Sequence, residues 1–154
     1  MLLLLDIDGV MVPAKAWQQP ALLSDGFPAF SSQAVSVLQE LINPSTRILL
    51  TSSHRSRWNV EQWKDIFLRR DIRINELELM DIYPTFSSRK DEIIHWLTQH
   101  TPPDDFIIID DDSSLHDLPA HLKAHFVHTT PLVGLTTQHL HIIRQIGEQH
   151  FSLG

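Results

Sequence analysis

Met1-Leu2-Leu3-Leu4-Leu5-Asp6-Ile7-Asp8-Gly9-Val10 is the stretch whose reading decides the fold. An apolar run of this length, ended by acids and a glycine, suits a strand buried on both faces. Such strands belong to parallel sheets with helices on either side; a strand with one wet face would alternate instead. The same pattern returns twice. Arg47-Ile48-Leu49-Leu50 runs into Thr51-Ser52-Ser53-His54-Arg55, and Phe106-Ile107-Ile108-Ile109 runs into Asp110-Asp111-Asp112.

Helical spacing fills the intervals. Ala34, Val35, Leu38, Leu41 and Ile42 predict a helix over Ser31–Ile42, capped by Ser31 or Ser32 and stopped by Asn43-Pro44. Val60, Trp63, Ile66 and Phe67 predict a second over Trp58–Arg70. Ile93, Ile94, Trp96 and Leu97 predict a third over Ser88–His100, and Leu140, Ile143 and Ile146 a last one over Thr136–Ile146. Further strands are expected within Ile72–Met80 and at His125–Val127, and a short helix near Ser113–Leu118. Residues 9–30 carry Pro13, Pro20, Gly26 and Pro28, and read as a loop with a small hairpin. Strands alternating with helices predict a Rossmann-like three-layer α/β sandwich around a mostly parallel five-stranded sheet. Residues 1–154 read as a single domain with no cap domain, because no connection has room for one.

Composition narrows the chemistry. The chain has 154 residues, enough for a sizeable core, and no cysteine, which excludes disulfides, thiolate metal sites and cysteine nucleophiles. The net charge is −7, but residues 47–90 carry +3 and residues 91–128 carry −7. A generally basic nucleic-acid binder is thereby excluded; an acidic metal site beside groups that hold an anion fits. The apolar start stops at Asp6, far short of the ~20 residues of a membrane helix. It also lacks the basic start and cleavage site of a secretory signal, so the expectation is a soluble, cytoplasmic protein with no membrane contact.

Ligands of open α/β sheets bind outside the carboxyl ends of the strands. Asp6 and Asp8 stand there, as do Thr51, Ser52 and Arg55, and then Asp110 and Asp111. Arg89 and Lys90 fall in the first turn of the third helix, where the helix dipole disfavours cations. They need carboxylates or a phosphate as partners. Four converging carboxylates cannot all stay ionised uncompensated, and Mg²⁺, a hard cation that prefers oxygen ligands, meets that need. A carboxylate beside Mg²⁺ can attack phosphorus and form an aspartyl-phosphate, with the metal and a lysine neutralising the transferring group.

Asp6-Ile7-Asp8-Gly9-Val10 resembles the first motif of the haloacid dehalogenase-like (HAD) phosphohydrolase superfamily. Thr51 after its strand resembles the second motif, Lys90 at a helix start the third, and Ile109-Asp110-Asp111 the fourth. The resemblance covers the whole chain, in order. It implies that Asp6 is the nucleophile and a metal ligand. It makes Asp8 the general acid/base, whose backbone carbonyl also ligates Mg²⁺. Thr51 and the Ser52 backbone N–H would bind phosphoryl oxygens, Lys90 would stabilise the nucleophile and the phosphoryl charge, and Asp110 and Asp111 would complete the metal site. The register among Asp110, Asp111 and Asp112 stays open. Members that act as dehalogenases lack an acid two residues after the nucleophile, so Asp8 favours phosphoryl transfer; Val10 stands where many members have threonine.

Within the superfamily the chain resembles the small HAD domain of bacterial multidomain "Swiss army knife" RNA-repair proteins. That likeness rests on Leu5–Val10, Leu50-Thr51 with Trp58-Asn59, Ile109–Asp112, and the tail Thr130-Pro131-Leu132-Val133-Gly134-Leu135-Thr136 with His139-Leu140. It implies a Mg²⁺-dependent phosphatase acting on a large phosphorylated substrate, RNA or DNA ends among them. The basic stretch His54, Arg55, Arg57 is compatible with that. The competing function is a HAD-like binding or regulatory module that kept the acidic site without turnover; a phosphomutase is disfavoured because such members carry a cap.

Blander readings stand beside these. Asp112 reads better as a helix cap than as a ligand. Arg55 and Arg57 are as well explained by solvation or pairing with Glu61 as by substrate binding. Trp58, Trp63 and Trp96 read as core, whereas Trp17, in the open loop, could stack a base. His139 and His141, two residues apart, do not share a helix face, so the histidine-rich tail is not read as a metal site.

Overall fold

The computed structural model describes residues 1–14, 21–86 and 88–152, with side chains up to residue 148. Trp17 lies outside the described residues. The strands are β1 (Leu2–Leu5), β2 (Arg47–Leu50), β3 (Glu76–Leu79), β4 (Ile107–Asp110) and β5 (Phe126–His128). The helices are α1 (Ser32–Leu41), α2 (Val60–Leu68), α3 (Arg89–Gln99), α4 (Ala120–Lys123) and α5 (Thr137–Ser152). All five strands are parallel, in the order β3-β2-β1-β4-β5.

The leucine run explains the layering. Successive strand side chains point to opposite faces. Leu3 and Leu5 therefore join Ile48, Leu50, Ile107 and Ile109 beneath α1, α2 and α5. Leu2 and Leu4 join Leu49 and Ile108 beneath α3, through Ile93, Trp96 and Leu97. With helices on both faces the result is the expected three-layer sandwich. The run from β1 to α1 is loop wherever it is described, and a 3-10 turn at Arg55–Arg57, α2 and β3 intervene between β2 and α3, so no cap is inserted there among the described residues.

Local chemistry sets the boundaries. Ser31, not Ser32, caps α1, accepting the Ala34 N–H at 3.1 Å. Asn59 and Gln62 form a reciprocal capping box that starts α2 at Val60 rather than Trp58. Ile72 and Ile74 mimic strand alternation and are buried, yet they precede β3, because Asp71 turns the chain with φ 64. The short helix α4 follows Pro119 and buries no residue, so no apolar period announced it.

The loop before α1 folds onto the α1/α2 face. Its turn closes on a bridge between Leu22 and Pro28, and Arg70 clamps it. The Arg70 guanidinium pairs with Asp25 at 2.6 Å and donates to the carbonyls of Phe27, Pro28 and Ile66. Phe27 is thereby seated edge-on against Phe30, Trp58 and Trp63. Removing one partner of a buried, hydrogen-bonded charge pair costs about 3 kcal/mol or more. Arg70→Met should therefore lower the urea midpoint by that equivalent; an unchanged midpoint would show that the clamp contributes nothing.

Candidate active site

β1 and β4 are neighbours, with Leu5 opposite Ile109, so the residues that leave them meet. The Asp6 N–H donates to the Ile109 carbonyl at 3.1 Å, carrying the pairing one residue beyond β1. Asp6 and Asp110 are both buried. One carboxylate oxygen from each of Asp6, Asp110 and Asp111 lies within 4.8 Å of the other two. Asp112 points elsewhere: it accepts the Ser114 N–H at 2.8 Å and caps the turn Ser113–Asp117. Its own N–H donates to Asp110 at 3.0 Å.

Gly9 makes room for this cluster. It has φ +77, and a Cβ there would run into the Asp111 carboxylate. Gly134 does the same for the tail loop. Its φ is +79, and a Cβ would sit 2.5 Å from the Val10 carbonyl. Leu135 N–H donates to that same carbonyl, and Ala14 N–H to the Pro131 carbonyl. The Thr130–Thr136 segment is therefore a brace against the first loop.

The cation at the cluster is Arg89, where Lys90 was expected. One Arg89 nitrogen lies 3.1 Å from Asp110, 3.5 Å from Asp6 and 3.2 Å from the Thr51 hydroxyl. Ser88 caps α3, so Arg89 is its first residue. The next residue is turned ~100° around a helix axis, and Lys90 makes no ion pair with these acids among the described residues; its backbone N–H reaches Ser114. The missed signal was present in the sequence, since a cation at a helix start needs an acid, but two adjacent cations offered no way to choose.

Thr51 and Ser52 are buried at the end of β2, and Thr51 N–H donates to the Leu5 carbonyl, which holds this loop beside Asp6. Arg55, expected to bind substrate, is also buried. Its five N–H groups are all committed: to the carbonyls of Met80, Thr51, Ser52 and Asp81, and to Glu92 at 2.6 Å. An arginine has five such donors, so none remains for a ligand. Arg57 lies over the Trp58 ring, 4.5 Å from its centre. Of this stretch Arg55 is thus turned inward, while Arg57 stays exposed and His54 half-buried. The Asp8 carboxylate stands apart from the cluster and accepts from His54 Nε2 at 2.7 Å, a pairing the sequence did not reveal.

Electrostatics define what the pocket needs. Burial, then the neighbouring charge of Asp110, pushes the Asp6 carboxyl up to about 8, against the opposing pull of Arg89. Burial likewise pushes Asp110 up to about 6. Burial works against the charge of Arg89, but Asp110 and Asp6 hold its pKa above the ordinary value. Three carboxylates with one cation are short of positive charge, and all the donors are hard oxygens. That set fits a divalent ion such as Mg²⁺.

A parallel α/β sheet in this order, with acids at the ends of its two central strands, defines a HAD-like domain of the Rossmann type. The chain belongs to the family of HAD domains in Swiss Army Knife RNA repair proteins, whose model matches residues 2–140. That places it in a superfamily of hydrolases and phosphatases. No curated protein matches the chain. Among the described residues no helix is long and apolar enough to cross a membrane.

The raised carboxyl pKa values have a thermodynamic consequence. A group that binds its proton more tightly when folded stabilises the fold at low pH and loses that contribution as pH rises through its folded pKa. For Asp6 and Asp110 the window runs from the ordinary carboxyl value of 3.8 up to about 8 and about 6. The metal-free melting temperature should fall between these limits, and added Mg²⁺ should raise it more at the alkaline end than at the acid end. Thermal melts with and without Mg²⁺ check this; a Mg²⁺ shift that does not grow with pH would show that these acids do not bind the ion.

Proposed function

We propose that this chain is a Mg²⁺-dependent phosphomonoesterase that works through an aspartyl-phosphate on Asp6. The observation that carries the reading is the buried Asp6 carboxylate facing Asp110 and Asp111, with Arg89 against both Asp6 and Asp110. Asp6, the main-chain carbonyl of Asp8, Asp110 and Asp111 would hold the ion. When bound, it supplies positive charge to the nucleophile and the phosphoryl oxygens.

The chain's own groups divide the rest of the work. An Asp6 oxygen attacks phosphorus while the bond from phosphorus to the leaving oxygen breaks. Asp8 gives its proton to that oxygen. In the second half, Asp8 takes a proton from water, the water oxygen attacks phosphorus, and the bond to Asp6 breaks to release inorganic phosphate. The Thr51 hydroxyl and the Ser52 N–H hold the phosphoryl oxygens. Arg89 takes the charge-stabilising role that Lys90 was expected to fill; it stays charged throughout and can bridge several oxygens at once.

Two observations support a large substrate. Among the described residues no cap domain covers the carboxyl edge of the sheet, so no lid has to close over a small molecule. The family's proteins are described as RNA repair proteins, which points to a phosphate at an RNA or DNA end. The phosphate-holding groups carry this recognition without Arg55, whose donors are all committed within the fold.

Hydrolysis of p-nitrophenyl phosphate with Mg²⁺, abolished by Asp6→Asn, is the expected result. Arg89→Met should lower kcat/KM by about 100-fold, the order lost with a charge-stabilising donor, and Lys90→Met should stay near wild type. The reverse order would restore Lys90 to the role. Intact Mg²⁺ binding with no turnover on any phosphate would favour a binding module instead. A panel of end-phosphorylated oligonucleotides, nucleotides and sugar phosphates tests the substrate, with preference for the oligonucleotides expected; a preference for sugars would overturn that part.

A further inference from the structure

His54 is the one side chain that hydrogen-bonds the Asp8 carboxylate among the described residues, with Nε2 2.7 Å from Oδ2. A carboxylate oxygen can only accept, so Nε2 carries the hydrogen and donates it. The two side chains are unequal partners. Asp8 is 56% exposed on a loop, whereas His54 is 32% exposed and held from several sides. Its ring meets Phe27 edge-on at 5.7 Å, and Phe27 is fully buried. Its backbone N–H donates to Ser52 Oγ at 3.1 Å. Its neighbour Arg55 is fixed by five hydrogen bonds, and the Arg55 carbonyl accepts from Trp63 Nε1.

An exposed ion pair between two mobile side chains is worth little, because ordering them offsets the attraction. Here one partner is already ordered, so the cost falls on Asp8 alone. We propose that His54 is the positioning residue for Asp8: its Nε2–H pins Oδ2 and leaves Oδ1 as the atom that delivers the proton to the leaving oxygen. This rests on the phosphatase reading, and it requires the N–H, not a charge on the ring. The same fixed ring selects one rotamer of a carboxylate that would otherwise sample several in solvent.

Two substitutions separate the hydrogen bond from the packing. His54→Phe keeps a ring against Phe27 and removes the N–H. His54→Gln removes the ring and keeps a side-chain N–H at similar reach. The measurement is kcat/KM on p-nitrophenyl phosphate, whose leaving group departs without a proton, and on benzyl phosphate, whose alkoxide needs one. This parameter covers the steps up to the aspartyl-phosphate, so it isolates the acid role of Asp8. The ratio of the two values does not depend on the fraction of enzyme folded.

His54→Phe should lower the benzyl-to-nitrophenyl ratio by at least ~10-fold, part of the 10²–10⁴ that a positioned acid contributes. His54→Gln should restore the ratio to within about threefold of wild type. An unchanged ratio in His54→Phe, or a loss in His54→Gln as large as in His54→Phe, would overturn the positioning role while leaving the phosphatase reading intact. A wild-type chain that hydrolyses neither ester would overturn the phosphatase reading and this inference with it.

Discussion

Like-charge repulsion in a dry pocket is the constraint on which the rest of this structure depends. Adjacent β1 and β4 deliver Asp6 and Asp110 to the same point at the carboxyl edge, and Asp111 follows at once. Carboxylates this close, shielded from water, cannot all ionise without positive charge nearby. Among the described residues the cation that meets them is Arg89, from the start of α3. The position of α3 thereby becomes an electrostatic requirement as well as a packing one. Its cap Ser88 and its core residues Ile93 and Trp96 hold the helix where Arg89 can reach both acids.

Around that pocket the walls are stiff on one side and closely fitted on the other. On the β2 side, Arg55 ties together the ends of β2 and β3 and the first turns of α3 through Glu92. A linked series of contacts runs from the Asp25–Arg70 pair through Phe27 to His54 and then to Asp8. On the β1 side, Gly9 and Gly134 let chain segments approach more closely than a Cβ allows. A catalytic constellation needs this arrangement because small displacements of the reacting groups cost orders of magnitude in rate.

The parts of this architecture legible in the sequence were those governed by local rules. Leu2–Leu5 and Ile107–Ile109 announced central parallel strands because burial on both faces leaves no polar position. The acids at their ends were legible because strand ends are where such sheets place ligands. Caps such as Ser31 and Asp112 followed from side chains that satisfy free helix N–H groups. What stayed hidden depends on contacts between segments far apart along the chain. Arg55 reads as a surface base until the Met80 and Asp81 carbonyls are seen to accept its N–H groups. The choice of Arg89 over Lys90 turns on one residue of helix phase after the cap Ser88. His54 looked like part of a basic patch, and only the seating of Phe27 turns it toward Asp8.

An arginine at the cluster also decides where protons are exchanged. A lysine buried beside carboxylates can give up its proton, and would share any charge adjustment with them. Arg89 cannot, and its acids hold it more firmly charged still. Every proton taken up or released when the charge of the pocket changes must then come from the acids, chiefly Asp6, which is pushed furthest upward. A protonated carboxyl is a poor nucleophile. Burial and Asp110 thus favour the protonated form of Asp6, and further positive charge in the pocket would favour the ionised one. Under the proposed function, the repulsion that makes the pocket costly to fold is the same property that would tie activation of Asp6 to binding of a divalent ion.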